Sequence, residues 1–253
     1  MFIIASNTFK EIIRDRILYG LIVFAVLLIL ISLALAELSF AEQARITSNF
    51  GLMGIHLSSV ILAIFVGSTL VSKEIDKKTI LTLLARPISR EQFILGKSVG
   101  LLLIIISVTV GLALTMIVLF MIQGIDVGLN FVISLYGIVL EALVLLGVSL
   151  LFSSFTRPVL VVSFSAGIYL IGHWMKSLSF FADQSKNPVF EGFATVVNYA
   201  LPDLEKFNWR ALVIYQEESL PFKSFVVANL YALLWFVFLI GLTSFVLRRK
   251  DFG

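Results

Sequence analysis

The chain has 253 residues, 59% of them hydrophobic and only 14% charged, with a mean hydropathy of +1.05. No soluble domain of this size needs so much apolar surface, and the net charge of +3 marks no nucleic-acid site, because the cations cluster beside apolar runs. With no cysteine, disulfides and thiolate metal sites are excluded.

The first seventeen residues place Phe2, Ile3, Phe9, Ile12, Ile13 and Ile17 near helical spacing, with Lys10, Glu11, Arg14 and Asp15 on the other side. This predicts an N-terminal interfacial helix that leads into the first span. Six uncharged or nearly uncharged runs follow: 17–36, 46–72, 98–125, 127–156 (broken only by Glu141), 158–175 and 224–247. A hydrocarbon core about 30 Å thick takes about 20 helical residues to cross. Backbone groups in lipid must be satisfied internally, so the runs are predicted as six transmembrane helices of one all-α, polytopic domain, 1–253. Ala34-Leu35-Ala36 has the pattern of a signal-peptidase site, but the run before it is long and its leader carries Glu11 and Asp15, so an uncleaved span is expected.

Between the second and third runs lies a dense basic segment, Lys73 to Lys97, with six of the nineteen Lys and Arg residues. Ile80, Leu83 and Leu84 stand at i, i+3, i+4, with Asp76, Lys77 and Lys78 in the first turn. Pro87 stops that helix, since the residue before a proline avoids the helical region. Ser89 followed by Gln92 has capping-box spacing and starts the next helix. The product is a helix–break–helix elbow at the membrane surface. Two readings stand: a helix that lays its apolar face in a partner's groove, or a helical turn resting on lipid headgroups.

Further on, Gly124 to Gly128 has GxxxG spacing, but Asp126 falls inside it near a span end, so a turn is expected. Gly96-Lys97-Ser98 mimics the end of a phosphate-binding loop, yet Glu91 stands where the first glycine is required and no strand precedes it; ATP is not expected to bind this chain. Glu141 sits in the middle of the fourth run. A carboxylate at that depth must face protein or water, as a polar contact in a translocation path or as a structural hydrogen bond to another span. His56 and His173 read as polar anchors toward span ends, and no metal-ligand spacing is evident, so no metal and no catalytic residue is expected. The stretch from Lys176 to Lys223 holds nine aromatic residues and predicts a structured external loop. A helix over 189–200 would end at Leu201-Pro202. Its aromatic residues read either as short helices at the interface or as an ordinary aromatic belt.

Counting Lys and Arg by alternate loops gives thirteen on the side of both termini and the basic segment, and six on the other, most of them in one long loop. Both termini and residues 73–97 are therefore expected in the cytoplasm.

The basic segment, with Glu74, Lys78-Thr79-Ile80, Leu83-Leu84-Ala85, Arg86-Pro87-Ile88-Ser89-Arg90 and Phe93-Ile94-Leu95-Gly96-Lys97, resembles the signature of the ABC type-2 permeases, the membrane subunits of prokaryotic ABC exporters. Lys78 stands where glycine is usual. Leu201-Pro202-Asp203-Leu204-Glu205-Lys206-Phe207-Asn208 is also similar to a stretch that recurs before the last span. Within that family the chain resembles the permease of the nitrous-oxide-reductase maturation transporter and its many unassigned relatives. The resemblance implies a permease subunit in the prokaryotic cytoplasmic membrane, bound to two copies of a separate ATPase subunit that carries the ATP and magnesium. It also implies pairing with a second permease copy or a paralogue. It makes the elbow a cytoplasmic coupling helix between spans two and three, with Glu74, Asp76, Thr79, Ile80, Leu83, Leu84, Arg86, Pro87, Ser89 and Arg90 as its residues. Pro202, Asp203 and Leu204 become an external gate region. Of the rival classes, an intramembrane enzyme needs a nucleophile with a base, or paired carboxylates, at membrane depth; from sequence only Glu141 is there, unpaired. A secondary transporter usually shows repeated halves and several buried ionisable residues, and neither is evident.

Overall fold

A computed structural model of the chain describes residues 2–14, 16–37, 42–76, 90–185, 187–215 and 220–249. Every regular element among them is helical: α1 (Phe2–Ile13), α2 (Arg16–Glu37), α3 (Gln43–Asp76), α4 (Arg90–Gln123), α5 (Leu129–Ser153), α6 (Pro158–Ser185), α7 (Pro188–Ala200), a 3₁₀ turn (Leu204–Phe207), α8 (Ala211–Ile214) and α9 (Phe222–Arg249). Six of these, α2 to α6 and α9, are long and apolar enough to cross a membrane.

Local chemistry sets the breaks. Arg14 caps α1 through a bond from its N–H to the Glu11 carbonyl at 3.2 Å, so the leader helix and the first span are separate elements. Gly124 adopts φ +68° in the turn after α4, a conformation that suits a residue with no side chain, and the 124–128 segment is indeed a turn. Ser154 to Arg157 join α5 to α6, and Pro158 opens α6 where its missing N–H costs nothing. The expected end of the fifth run at Met175 is corrected: α6 continues through Lys176 to Ser185, because no breaker occurs before Asn187-Pro188. Asn187 then caps α7, its side-chain oxygen accepting from Val189 N–H at 3.0 Å. α7 ends at Ala200, before Pro202, as the sequence predicts.

Two helices form the centre. In α3 and α5, 72% of the most apolar stretch is buried inside the chain, against 22% in α2, α6 and α9, whose outer faces are apolar and exposed. The central pair carries the polar side chains. Ser59 Oγ and Thr109 Oγ1 meet at 2.9 Å between α3 and α4, and Ser149 Oγ donates to the Ala63 carbonyl at 3.0 Å between α5 and α3. Polar groups inside an apolar bundle turn inward, and these two contacts cross from one helix to another. The leader helix differs from its predicted stripe. It buries Ala5, Thr8 and Ile12 on α4, while Ile3 and Ile13 point outward. Small residues let the two helices approach, which leaves the bulky isoleucines for the apolar surroundings.

Glu74 and Asp76 fall in the last turns of α3, and Arg90 opens α4. Thr79, Ile80, Leu83, Leu84, Arg86, Pro87 and Ser89, and with them the predicted elbow, lie outside the described residues.

A candidate functional site: a buried His–Glu–His cluster under an inserted segment

After α7 the chain does not leave the bundle. Leu201 is extended (φ −117°, ψ 152°), because Pro202 forbids a further helical turn, and the backbone drops between α5, α6 and α9. Leu204, Phe207 and Trp209 are all buried. Two glycines make room. A Cβ on Gly137 of α5 would sit 2.5 Å from the Phe207 carbonyl oxygen, and one on Gly172 of α6 would sit 2.7 Å from Leu204 Cγ and 2.9 Å from the Pro202 carbonyl oxygen. Ser134, one turn before Gly137, donates its hydroxyl to the Trp209 carbonyl at 2.7 Å. The Asp203 N–H donates to Tyr231 Oη of α9 at 2.8 Å, and Lys206 Nζ lies 4.1 Å over the same ring. Gly137 is eight residues into α5, about 12 Å along its axis. Irregular backbone at such depth is tolerated where protein covers it, and Leu204, Phe207 and Trp209 are covered here.

The glycine contacts set the position of the acidic and basic groups. Glu141 follows Gly137 by one turn on the same face of α5, His173 adjoins Gly172, and Glu205 adjoins Leu204. His56 Nε2 lies 2.9 Å from Glu141 Oε2, and His173 Nε2 lies 2.9 Å from Glu141 Oε1, so each carboxylate oxygen has its own imidazole. His173 Nδ1 lies 3.2 Å from Glu205 Oε2; Asn208 Nδ2 donates to Glu205 Oε1 at 3.1 Å, and Arg210 Nε donates to Asn208 Oδ1 at 2.9 Å. The Tyr169 ring stands edge-on to His173, 4.8 Å between centroids. Glu141 and His56 are 1% and 2% exposed, so this is an interior network. Burial pushes the Glu205 carboxyl up, but its bonds from His173 and Asn208 outweigh that and hold it below the usual carboxylate range.

Three sequence readings change. Glu141 is paired, not alone. His56 is thirteen residues into α3 and faces α5, and His173 is twelve residues from the end of α6; neither is a polar anchor at a span end. Of the proposed gate residues, Leu204 seats on Gly172, Asp203 bonds Tyr231, and Pro202 lays its carbonyl on α6. A cleft of about 580 Å³ opens between Glu42, Arg45, Asp126 and Tyr215, where the start of α3, the turn between α4 and α5, and α8 meet. Chemically, the cluster can hold protons or a cation and can lock three spans to the inserted segment.

No curated protein matches the chain. From residue 2 to residue 252 it matches the family described as ABC-2 family transporter protein, and the chain, a multi-pass membrane protein with six candidate spans among the described residues, belongs to that family.

Proposed function

We propose that this chain is the permease subunit of an ATP-driven exporter of the prokaryotic cytoplasmic membrane, with both termini in the cytoplasm. Family membership across residues 2–252 carries the reading. ATP is hydrolysed by two copies of a separate ATPase subunit, which bind a pair of permeases, either two copies of this chain or this chain and a paralogue. The segment around Asp76 to Ala85 is the coupling helix: Ile80, Leu83 and Leu84 fill a groove on the ATPase, and Glu74 and Arg90 hold the angle of the helix between α3 and α4. Pro202, Asp203 and Leu204, which open the inserted stretch, form the external gate region. Its support is its position, since the stretch it opens fills the bundle beside the buried Glu141, at the end of α3 away from Asp76.

The test is co-purification with the ATPase subunit, followed by ATP hydrolysis in reconstituted vesicles. A buried apolar side chain contributes about 1.5–3 kcal/mol at such a contact. Leu83→Asp with Leu84→Asp should therefore lower ATPase affinity at least tenfold, or leave a bound ATPase that no longer responds to the membrane subunit, while the spans still insert. Unchanged binding, hydrolysis and transport in the double variant would remove the coupling helix from the proposal.

A further inference from the structure

We propose that His56, Glu141 and His173 form a binding site for one divalent transition-metal ion of the zinc class, held between α3, α5 and α6.

The ligand atoms of the three residues all lie within 4.8 Å of one another. Two imidazole nitrogens and a carboxylate oxygen are a donor set that suits zinc, cobalt or nickel, and it leaves a further coordination position open. Metal–ligand bonds of about 2.0–2.2 Å put tetrahedral ligands about 3.4 Å apart. Each histidine reaches its own oxygen of the Glu141 carboxylate at 2.9 Å, and with no ligand pair wider than 4.8 Å, side-chain rotations of roughly 1.4 Å or less bring the set to that spacing.

The next shell of His173 has the arrangement that a metal-bound histidine needs. His173 presents Nε2 to the site and turns Nδ1 toward the Glu205 carboxylate, which Asn208 holds in place. A carboxylate on the far nitrogen fixes the tautomer with its lone pair on the metal side and makes that nitrogen a better ligand. The charges accommodate the same ion. Both ring nitrogens of His173 face carboxylate oxygens, and a neutral imidazole has one N–H to offer. The second contact is met either by a second proton on the ring or by a cation held at that nitrogen. A divalent ion there, with both histidines neutral, balances Glu141 and Glu205 and leaves the interior uncharged, which a low-dielectric site requires. The ion would tie three spans together and, through Glu205, latch the inserted segment onto them. The inference stands on these residues and does not depend on any ATPase partner.

The chain has two histidines and no cysteine, so a metal spectrum with nitrogen ligands has one possible origin. The full chain should be purified on a tag without histidine, stripped with chelator, and titrated with Co(II). The expected result is one Co(II) per chain, with visible d–d bands of a four- or five-coordinate site, displaced by Zn(II). His56→Gln and His173→Gln should each abolish the bands. Glu205→Gln changes a residue outside the spans and removes only the supporting carboxylate, so it should bind Co(II) 10- to 100-fold more weakly. Size exclusion and thermal melting identify any variant that fails to fold, and Glu205→Gln then carries the test. Saturable binding absent from the folded wild-type chain, or binding that survives in a folded histidine variant or is unchanged by Glu205→Gln, would overturn the site. The cluster would then be a network of protons alone.

Discussion

Replacing Glu141 separates a hydrogen-bonding role from simple space filling. Glu141→Leu keeps an apolar side chain of similar length but strands His56 Nε2 and His173 Nε2, each now 2.9 Å from its acceptor. A buried polar group left without a partner costs about 1–3 kcal/mol, so two cost about 2–6 kcal/mol. Glu141→Gln fits the same network without charge. Its carbonyl accepts from His56 Nε2–H, and its amide donates to His173 Nε2, whose proton sits on Nδ1 toward Glu205. What is lost is the charge assistance, about 1 kcal/mol. In a chain of this size each kcal/mol moves the melting temperature by about 2–4 °C. The leucine variant should therefore melt roughly 5–20 °C lower and the glutamine variant less than about 5 °C lower. The melt is followed by tryptophan fluorescence in one detergent with chelator present, at a fixed heating rate, because unfolding of such proteins is commonly irreversible. A leucine variant that melts with the wild type, or a glutamine variant that falls as far as leucine, would refute the reasoning.

Gly172→Val should expel the inserted segment, since even its Cβ would overlap Leu204 and the Pro202 carbonyl, and overpacking of this kind costs about 1–3 kcal/mol. Tryptic cleavage after Lys206 and Arg210 should then accelerate, while Gly167→Ala, on the same helix with open space around it, should be cut at the wild-type rate. For topology, single cysteines placed at Lys78 and Ser185 in this cysteine-free chain should label oppositely in intact cells: an impermeant thiol reagent should reach position 185 and not 78, and the reverse would invert the proposed orientation.

Much of the fold was legible because a membrane admits so few solutions. Long uncharged runs have to be helices there, and α2 to α6 and α9 follow the six runs. The errors fell where the lipid rule is silent. Lys176 looked like the end of a span, but one lysine can extend its stem along a helix and keep the charge near the interface, so α6 runs on to Ser185. α1 was periodic enough to identify, yet its buried face turned out to be Ala5, Thr8 and Ile12, because close packing on α4 favours small side chains over hydrophobic ones. The cluster was only half legible. Mid-span Glu141 announced that a partner exists, but His56 is 85 residues away and His173 is 32, and no local pattern links them. A usable signal lay beside the polar residues. Gly137 precedes Glu141 by one turn and Gly172 adjoins His173; a glycine next to an ionisable residue inside a span marks a place where another backbone comes close.

The proposed coupling segment and the cluster share one rigid element. α3 runs unbroken from Gln43 to Asp76, so the twenty residues from His56 to the edge of the basic segment span about 30 Å of continuous helix. A tilt imposed at Asp76 has to move His56, and His56 is bonded to a carboxylate on α5, not to lipid. Packed interfaces respond to such a shift by changing partners more readily than by bending, so the His56–Glu141 contact is the point where movement of α3 would be resisted or released. His56→Ala removes that contact and leaves the coupling segment untouched. It should keep ATPase binding at the wild-type level while changing how far transported substrate tracks ATP hydrolysis in reconstituted vesicles. Leu83→Asp with Leu84→Asp acts at the other end of the same lever and should fail earlier, at binding or at stimulation. If His56→Ala folded, bound the ATPase and kept both hydrolysis and transport at wild-type rates, the cluster would be a structural tie with no part in transmitting the motion of α3.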